Sequence, residues 1–523
     1  MKPDSSPQPP PQDPTLDRAL ALHEAGQIAQ ARSIYRELLR ASPRNADLLR
    51  LLGTAECQLG DLEAGARLLG EALEIAPDQP AAHYNRGNAL KGLGRLEAAI
   101  ASYDRAIALR PGDASAQLNR GVALFELGRF AEALASGDRV ITLRPDHADA
   151  HANRGNALMR LGRLDEAVAS LDRAIALRPD RAEAFSSRGS ALLELGRRDA
   201  ARASFDRAIA LDPGHARAHA NKAQLDLLEG RFREGWASYE WRWKAIDGRV
   251  KPAFATPPWL GQESLAGSTL LIHPEQGLGD FVQFCRYAPM ARALGAGVVL
   301  QVPPPLVSLV ATLPGGYNVI PQGQPLPRFD FHCPVMSLPR AFDTTLATIP
   351  AQVPYLFASA AKVAAWRTRL GPRRRPRVGI AWSGSAIHKN DRNRSIALAA
   401  FAPLLELPLE FHALQKEIRA QDTAFLAQAP RVRLHADALH DFSDTAALIA
   451  AMDLVISVDT SVAHVAGAMG RPVWILLPFV PDFRWMLDRA DSPWYPTARL
   501  FRQASPGDWG RVIKGVAARL ARS

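Results

Sequence analysis

Two rhythms of apolar and polar positions divide this chain. From residue 12 to about residue 249, apolar and small residues recur at helical spacing, and the whole pattern repeats every 34 residues. Prolines keep the step at Pro43, Pro77, Pro111, Pro145, Pro179 and Pro213, and glycines at Gly26, Gly60, Gly94, Gly128, Gly162, Gly196 and Gly230. Further fixed points are Gly53, Gly87, Gly121, Gly155 and Gly189, and the alanines at 31, 99, 133, 167 and 201. Small residues let paired helices cross closely, glycine ends the first helix of each pair, and proline opens the turn to the next. The pattern predicts seven helix pairs stacked around a concave groove. In the last, Asp247 stands where proline is expected and Tyr239-Glu-Trp-Arg-Trp243 is aromatic, which predicts a cap docked against the next domain.

Beyond residue 266 the rhythm changes to short β-branched runs bounded by turn residues, the pattern of parallel strands covered on both faces. A first α/β unit is expected over 266–360, with strands at 270–274, 298–302, 319–320 and 329–332. A second is expected over 361–523, with strands at 378–382, 409–414, 432–436, 454–458, 473–477 and 499–501. Residues 1–11 are read as a disordered Pro-rich tail and 250–265 as a linker.

Candidate chemistry gathers where strands pass to helices. After the first strand comes Glu275-Gln-Gly-Leu-Gly-Asp280, whose Gly277 and Gly279 admit close backbone approach to a ligand and whose Asp280 opens a helix. After the strand at 454–458 come Asp459, Thr460 and Ser461, with His464 one helical turn beyond Thr460. Free N–H groups and the positive dipole end of that helix make a natural phosphate cradle. The turns holding Ser383 and the pair Gln415-Lys416 end two more strands, and the loop from His388 to Ser395 is cationic through Arg394. Neither a GxGxxG fingerprint nor a P-loop is present. Within the repeats, Asn85, Asn119, Asn153 and Asn221 share one position, interrupted by Ser187. A spaced row of amides can hold an extended polypeptide backbone without reading its sequence.

Composition adds limits. The 523 residues are 47% hydrophobic and 22% charged, ordinary for soluble protein, and no apolar run reaches bilayer length. The net charge of +10 suits anionic partners such as nucleotides and phosphosugars, while basic and aromatic residues do not interleave as in single-strand nucleic-acid binders. The run from Arg373 to Arg377 is read as a solvated linker. Cys57, Cys285 and Cys333 lie far apart with no metal spacing, which points to reduced thiols in the cytoplasm and to no metal site.

The 34-residue period with these fixed points resembles the tetratricopeptide repeat. The asparagine row is similar to that of the protein O-GlcNAc transferases, which implies a polypeptide partner in the groove. Gly-Leu-Gly-Asp after the first strand, and Asp-Thr-Ser-Val-Ala-His before Gly-Arg-Pro-Val, resemble the heptosyltransferase family of GT-B glycosyltransferases over about residues 266–522. That resemblance implies two facing Rossmann-like parallel-sheet domains, a nucleotide-diphosphate sugar as donor substrate and no cofactor. It implies Asp280 as the base, and Asp459, Thr460 and His464 on the donor, with Ser461 where glycine is usual. Arg394 takes the place of the family's basic residue, and Leu414-Gln415-Lys416 resembles the lysine-bearing donor segment of O-GlcNAc transferase. One departure is Gln283, where a histidine often stands. The expected activity is inverting, metal-independent transfer of a sugar to an acceptor hydroxyl on a polypeptide. An inactive transferase-like scaffold and a lipopolysaccharide heptosyltransferase remain the alternatives.

Overall fold

The computed structural model describes residues 14–245, 252–388, 390–429 and 431–522. The expected tail at 1–11 and the exchanged Asp247 lie outside them. Two compact units emerge: residues 1–195 with 206–213, and residues 196–205 with 214–523.

The first part of the chain is helical throughout its described residues, with helix pairs such as Ala46–Gln58 with Leu62–Ile75 and Pro80–Gly92 with Leu96–Leu109. The glycines at the 34-residue step, Gly26 to Gly230, all have φ between 72° and 93°, so each reverses the chain between paired helices where a side chain would be strained. The second glycine set works by contact. A Cβ on Gly87 would fall 2.5 Å from the Tyr103 ring, and one on Gly155 would fall 2.7 Å from Leu171. Tyr103 and Leu171 are fully buried, so small residues in one helix make room for large ones in its partner.

The second unit holds two parallel sheets, as the apolar runs predict. The first joins β1 (Thr269–His273), β2 (Gly297–Val302), β3 (Asn318–Pro321) and β4 (Phe331–Pro334) in the order β3-β2-β1-β4. The second joins β5 (Arg377–Ala381), β6 (Glu410–Ala413), β7 (Val432–Arg433), β8 (Leu454–Val458), β9 (Val473–Leu477) and β10 (Ala498–Arg502) in the order β10-β9-β8-β5-β6-β7. β5 is buried along its whole length, and β8 at all but its first residue. Strand order reverses beside β1 in one sheet and between β5 and β8 in the other. Open parallel sheets form their ligand crevices at such points, outside the carboxyl ends of the strands.

Two expectations change. The strand at 432–436 shrinks to two residues, because β7 is an edge strand bonded only to β6 and the chain turns into a short 3-10 helix at Ala436–Ala438. Arg377 is not linker: it opens β5, is buried, and pairs with Glu410 at 3.2 Å while donating to the Gly371 carbonyl at 2.7 Å.

The aromatic cap is built into the second unit. The Trp236 ring meets Phe284 and Phe483 edge-on at 6.1 and 5.5 Å, and the Tyr239 hydroxyl accepts from Gln276 at 3.1 Å. Arg242, in the short helix Arg242–Ala245, donates to both oxygens of Glu275 at 2.8 and 2.9 Å, with both side chains almost fully buried. The segment after β1 is thereby fixed from outside its own sheet.

Candidate active site

The site forms where the segment after β1 meets the segment after β8. Gly277 caps the helix Leu278–Phe284, and Asp280, in its first turn, accepts the Gly277 N–H at 2.6 Å through Oδ2. A carboxylate in that place completes the helix start and meets the positive dipole end. Thr460 occupies the cap position of the helix Ser461–Ala468, but its side chain makes no capping bond to that helix. Its hydroxyl lies 3.2 Å from the Ser457 hydroxyl instead.

Gly279 brings the two segments together. A Cβ there would lie 2.7 Å from His464 Cδ2 and 3.5 Å from Ser461 Cα. The imidazole of His464 is buried, with Nδ1 2.9 Å from the Tyr495 hydroxyl, Nε2 3.9 Å from Asp459, and the ring stacked on Trp485. Burial, then the Arg484, Arg286 and Arg394 cations, hold it well below the ordinary imidazole range, so it is neutral at pH 7. Asp459 moves the other way: burial and the nearby Asp482 carboxylate raise it to about 6.

The end of β5 is organised by Gln415. Its carbonyl accepts from the Trp382 and Ser383 N–H groups at 2.9 and 3.2 Å, and its amide donates to the Ser383 hydroxyl at 3.0 Å. Lys416 beside it is exposed. Arg394 crosses to the β8 turn, donating to the Asp459 carbonyl at 2.9 Å, and it packs so closely on Gly384 that a Cβ there would meet the guanidinium at 2.5 Å. The structure thus brings Gly277, Gly279, Asp280, Asp459, Ser461 and His464 together, ties Arg394 to them, and sets Ser383 and Gln415 at the neighbouring strand end.

The asparagine row belongs to the repeats. Asn85 donates to the Thr54 hydroxyl at 3.0 Å, and Asn119 donates to Asn88 at 2.8 Å and to the Tyr84 hydroxyl at 3.2 Å. Asn153 is half-buried in the helix Ala148–Arg160, and Asn221 lies on Ala216–Leu228. Amide hydrogens of Asn85 and Asn119 therefore bond between successive repeats.

Sequence reasoning missed several members. Arg484, in the 3-10 turn Phe483–Trp485 after β9, pairs with Asp280 and, at 2.7 Å, with Asp482. Burial works against its charge, and the Asp482 and Asp280 carboxylates more than offset it, so its pKa stands above the ordinary value. Arg419 ties down the loop after β5, donating to the Gly384 carbonyl at 2.8 Å and to Asp391 at 2.7 Å. The break after β9 was legible at Pro478-Phe479, but nothing in the local sequence marks Arg484 as buried or paired.

Comparison with known proteins finds likenesses in both the helical and the parallel-sheet parts of the chain. Residues 413–476, from the end of β6 to β9, match glycosyltransferase family 9 (heptosyltransferase). Residues 22–87, 84–148, 155–196 and 182–215 match tetratricopeptide repeat families. Matches to tetratricopeptide repeats are thus followed along the chain by a match to the family 9 glycosyltransferases. It is 29% identical over 326 residues to Protein FlbA of Caulobacter vibrioides, a match covering 57% of this chain and 54% of that protein. The chain thus spans about half the length of that curated relative. Among solved structures it is similar to MamA, at 25% identity over 31% of this chain and 94% of that one, with a TM-score of 0.30. A tetratricopeptide repeat protein from Parabacteroides merdae aligns at 17% identity over 45% of this chain and 93% of that one, with a TM-score of 0.38. YrrB, titled as a TPR protein with an unusual peptide-binding site, aligns at 23% identity over 36% and 97%, with a TM-score of 0.33. No described helix is long and apolar enough to cross a membrane.

Proposed function

We propose that the chain is a glycosyltransferase that moves a sugar from a nucleotide-diphosphate donor to a hydroxyl of a polypeptide held by the repeats. The observation that carries this reading is the contact of Gly279, next to Asp280 in the segment after β1, with Ser461 and His464 in the helix after β8, beside the points where strand order reverses. The donor diphosphate lies at the start of the Ser461 helix, whose cap residue leaves its first N–H groups to a ligand. Arg394 and Lys416 add positive charge, with Ser383 and Gln415 shaping the floor. Charge on the leaving diphosphate is met by these cations and N–H groups, so the transfer is read as metal-independent.

Asp280 acts as general base. An ionised carboxylate offers about four lone-pair positions, and Gly277 and Arg484 take two of them. A base on the face opposite the diphosphate supports in-line attack and inversion. The carbonyl oxygens of Asn85, Asn119, Asn153 and Asn221 would accept N–H groups of the acceptor chain, raising its local concentration. The three free thiols fit a reducing compartment, and we place the protein in the cytoplasm. Incubating the full chain with a panel of nucleotide sugars and candidate polypeptides, and measuring nucleotide release, tests the reading. Release that needs polypeptide supports it; release stimulated only by lipid-linked saccharide points to a heptosyltransferase of the lipopolysaccharide type.

A second reading, an inactive scaffold, draws on the Arg484–Asp280 pair, which engages the base directly. No nucleotide release from any donor would favour it.

A further inference from the structure

Arg484 stands in no sequence motif, yet it is the cation bonded to Asp280. Its guanidinium is buried, lies 4.6 Å over the Phe483 ring, and is shared between two carboxylates, Asp280 through Nη2 and Asp482 through Nη1. Its Nε is buried with no acceptor. A planar fork with an unused donor, at the carboxyl end of the second sheet, suits an anion able to accept two or three hydrogen bonds. The turn holding it comes after β9, the strand beside β8, so it borders the Asp459–Ser461 turn.

Two demands meet on this one group. A leaving diphosphate needs a cation as its charge develops, whereas the Asp280 oxygen bonded to the guanidinium is not open to an acceptor hydroxyl. We propose that Arg484 is exchanged between Asp280 and the donor diphosphate, so that donor binding frees Asp280 as the base. The proposal rests on the glycosyltransferase reading and names the group that couples its two halves.

The step balances without a further reactant. The freed Asp280 oxygen takes the proton of the acceptor hydroxyl while the acceptor oxygen bonds to the anomeric carbon. The bond from that carbon to the diphosphate oxygen breaks, and its electron pair leaves on the diphosphate, against Arg484. Asp482 holds the other edge of the guanidinium throughout, so the arginine pivots and does not leave. Without donor the base stays paired, which guards against proton abstraction in an empty site.

Competition makes a signed expectation that a merely structural ion pair does not. If Asp280 and diphosphate contend for one guanidinium, Asp280→Asn removes the contender. Affinity for a nucleoside diphosphate should then rise about 3- to 10-fold, since the binding-competent fraction of Arg484 grows. Titration calorimetry on the full chain, with uridine, guanosine and adenosine diphosphates as probes and the bare nucleosides as controls, reads this directly. Arg484→Lys should weaken diphosphate binding at least about tenfold, through loss of the fork, and abolish the gain from Asp280→Asn in the double variant. Unchanged or weaker diphosphate binding by Asp280→Asn, in a protein whose wild type binds and turns over its donor, overturns the exchange and leaves the activity standing. A wild type that binds no nucleoside diphosphate and releases nucleotide from no donor overturns both.

Discussion

Gly279 lies against His464 so closely that a single added methyl would sit 2.7 Å from the imidazole Cδ2. The glycine belongs to the segment after β1 and the histidine to the helix after β8, so this contact sets how near the two halves of the site approach. His464 cannot readily retreat, because Tyr495 holds Nδ1 and Trp485 covers the ring.

Gly279→Ala should therefore cost stability in the range of about 1–3 kcal/mol, the usual penalty of overpacking. It should also weaken donor binding by moving the Ser461 helix start. Urea unfolding and calorimetry measure the two effects. A variant as stable as wild type with unchanged donor affinity would show that the helices have room to part.

Asp280→Asn keeps the hydrogen-bonding length but removes the proton acceptor. Turnover should fall by roughly 10²–10⁴-fold, the ordinary worth of general-base assistance. Nucleotide release at saturating donor measures it. Full turnover would reduce Asp280 to a helix cap.

Acid should loosen the second sheet through a pair of buried imidazoles. His412 Nδ1 lies 3.0 Å from His435 Nε2, and burial, joined by His435 for the one and Arg369 for the other, pushes both down to about 4. In the unfolded chain both titrate near about 6.5. Their contribution is thus present above pH ~6.5 and is lost as pH falls toward 4. Asp459, raised to about 6, works in the opposite sense, its contribution being lost as pH rises from about 4 to 6. Replacing both histidines by glutamine should flatten the fall in stability between pH 6.5 and 4, as followed by urea midpoints.

In the repeats, Asn85→Ala and Asn119→Ala should each lower stability by about 0.5–1.5 kcal/mol, because their amides bond to Thr54 and to Asn88 and Tyr84. Polypeptide binding should weaken with them and nucleotide affinity should not. Asn153→Ala tests recognition with less structural cost. Parallel loss of nucleotide affinity would mark general unfolding instead.

Much of this was legible in the sequence, for identifiable reasons. The period of 34 fixed the helix pairs because each glycine and proline answers a local backbone demand that no distant residue can change. The buried strands declared themselves as apolar runs, and the turns after β1 and β8 as the polar breaks at their ends. Arg484 and Tyr495 were hidden because their roles depend on which loops meet, and nothing local distinguishes a buried arginine from a solvated one. The same blindness explains Arg377: within a run of four arginines and one proline, only the position of Glu410 on the adjoining strand singles it out. His435 shows a third kind of failure, in which an apolar-looking edge strand ends early because its ring turns inward to a partner on β6.

The bond from Arg242 to Glu275 bears on how such a chain can be assembled and exchanged over evolutionary time. The last helices of the repeat pattern share one compact unit with the two parallel sheets, and their arginine secures the glutamate two residues before the Gly-Leu-Gly-Asp segment. A recombination event that swapped repeat arrays at the end of the 34-residue pattern would strip away Trp236, Tyr239 and Arg242 and leave Glu275 buried and uncompensated. A viable crossover is therefore expected before Gly214, so that the final helix pair stays with the sheets it is packed against.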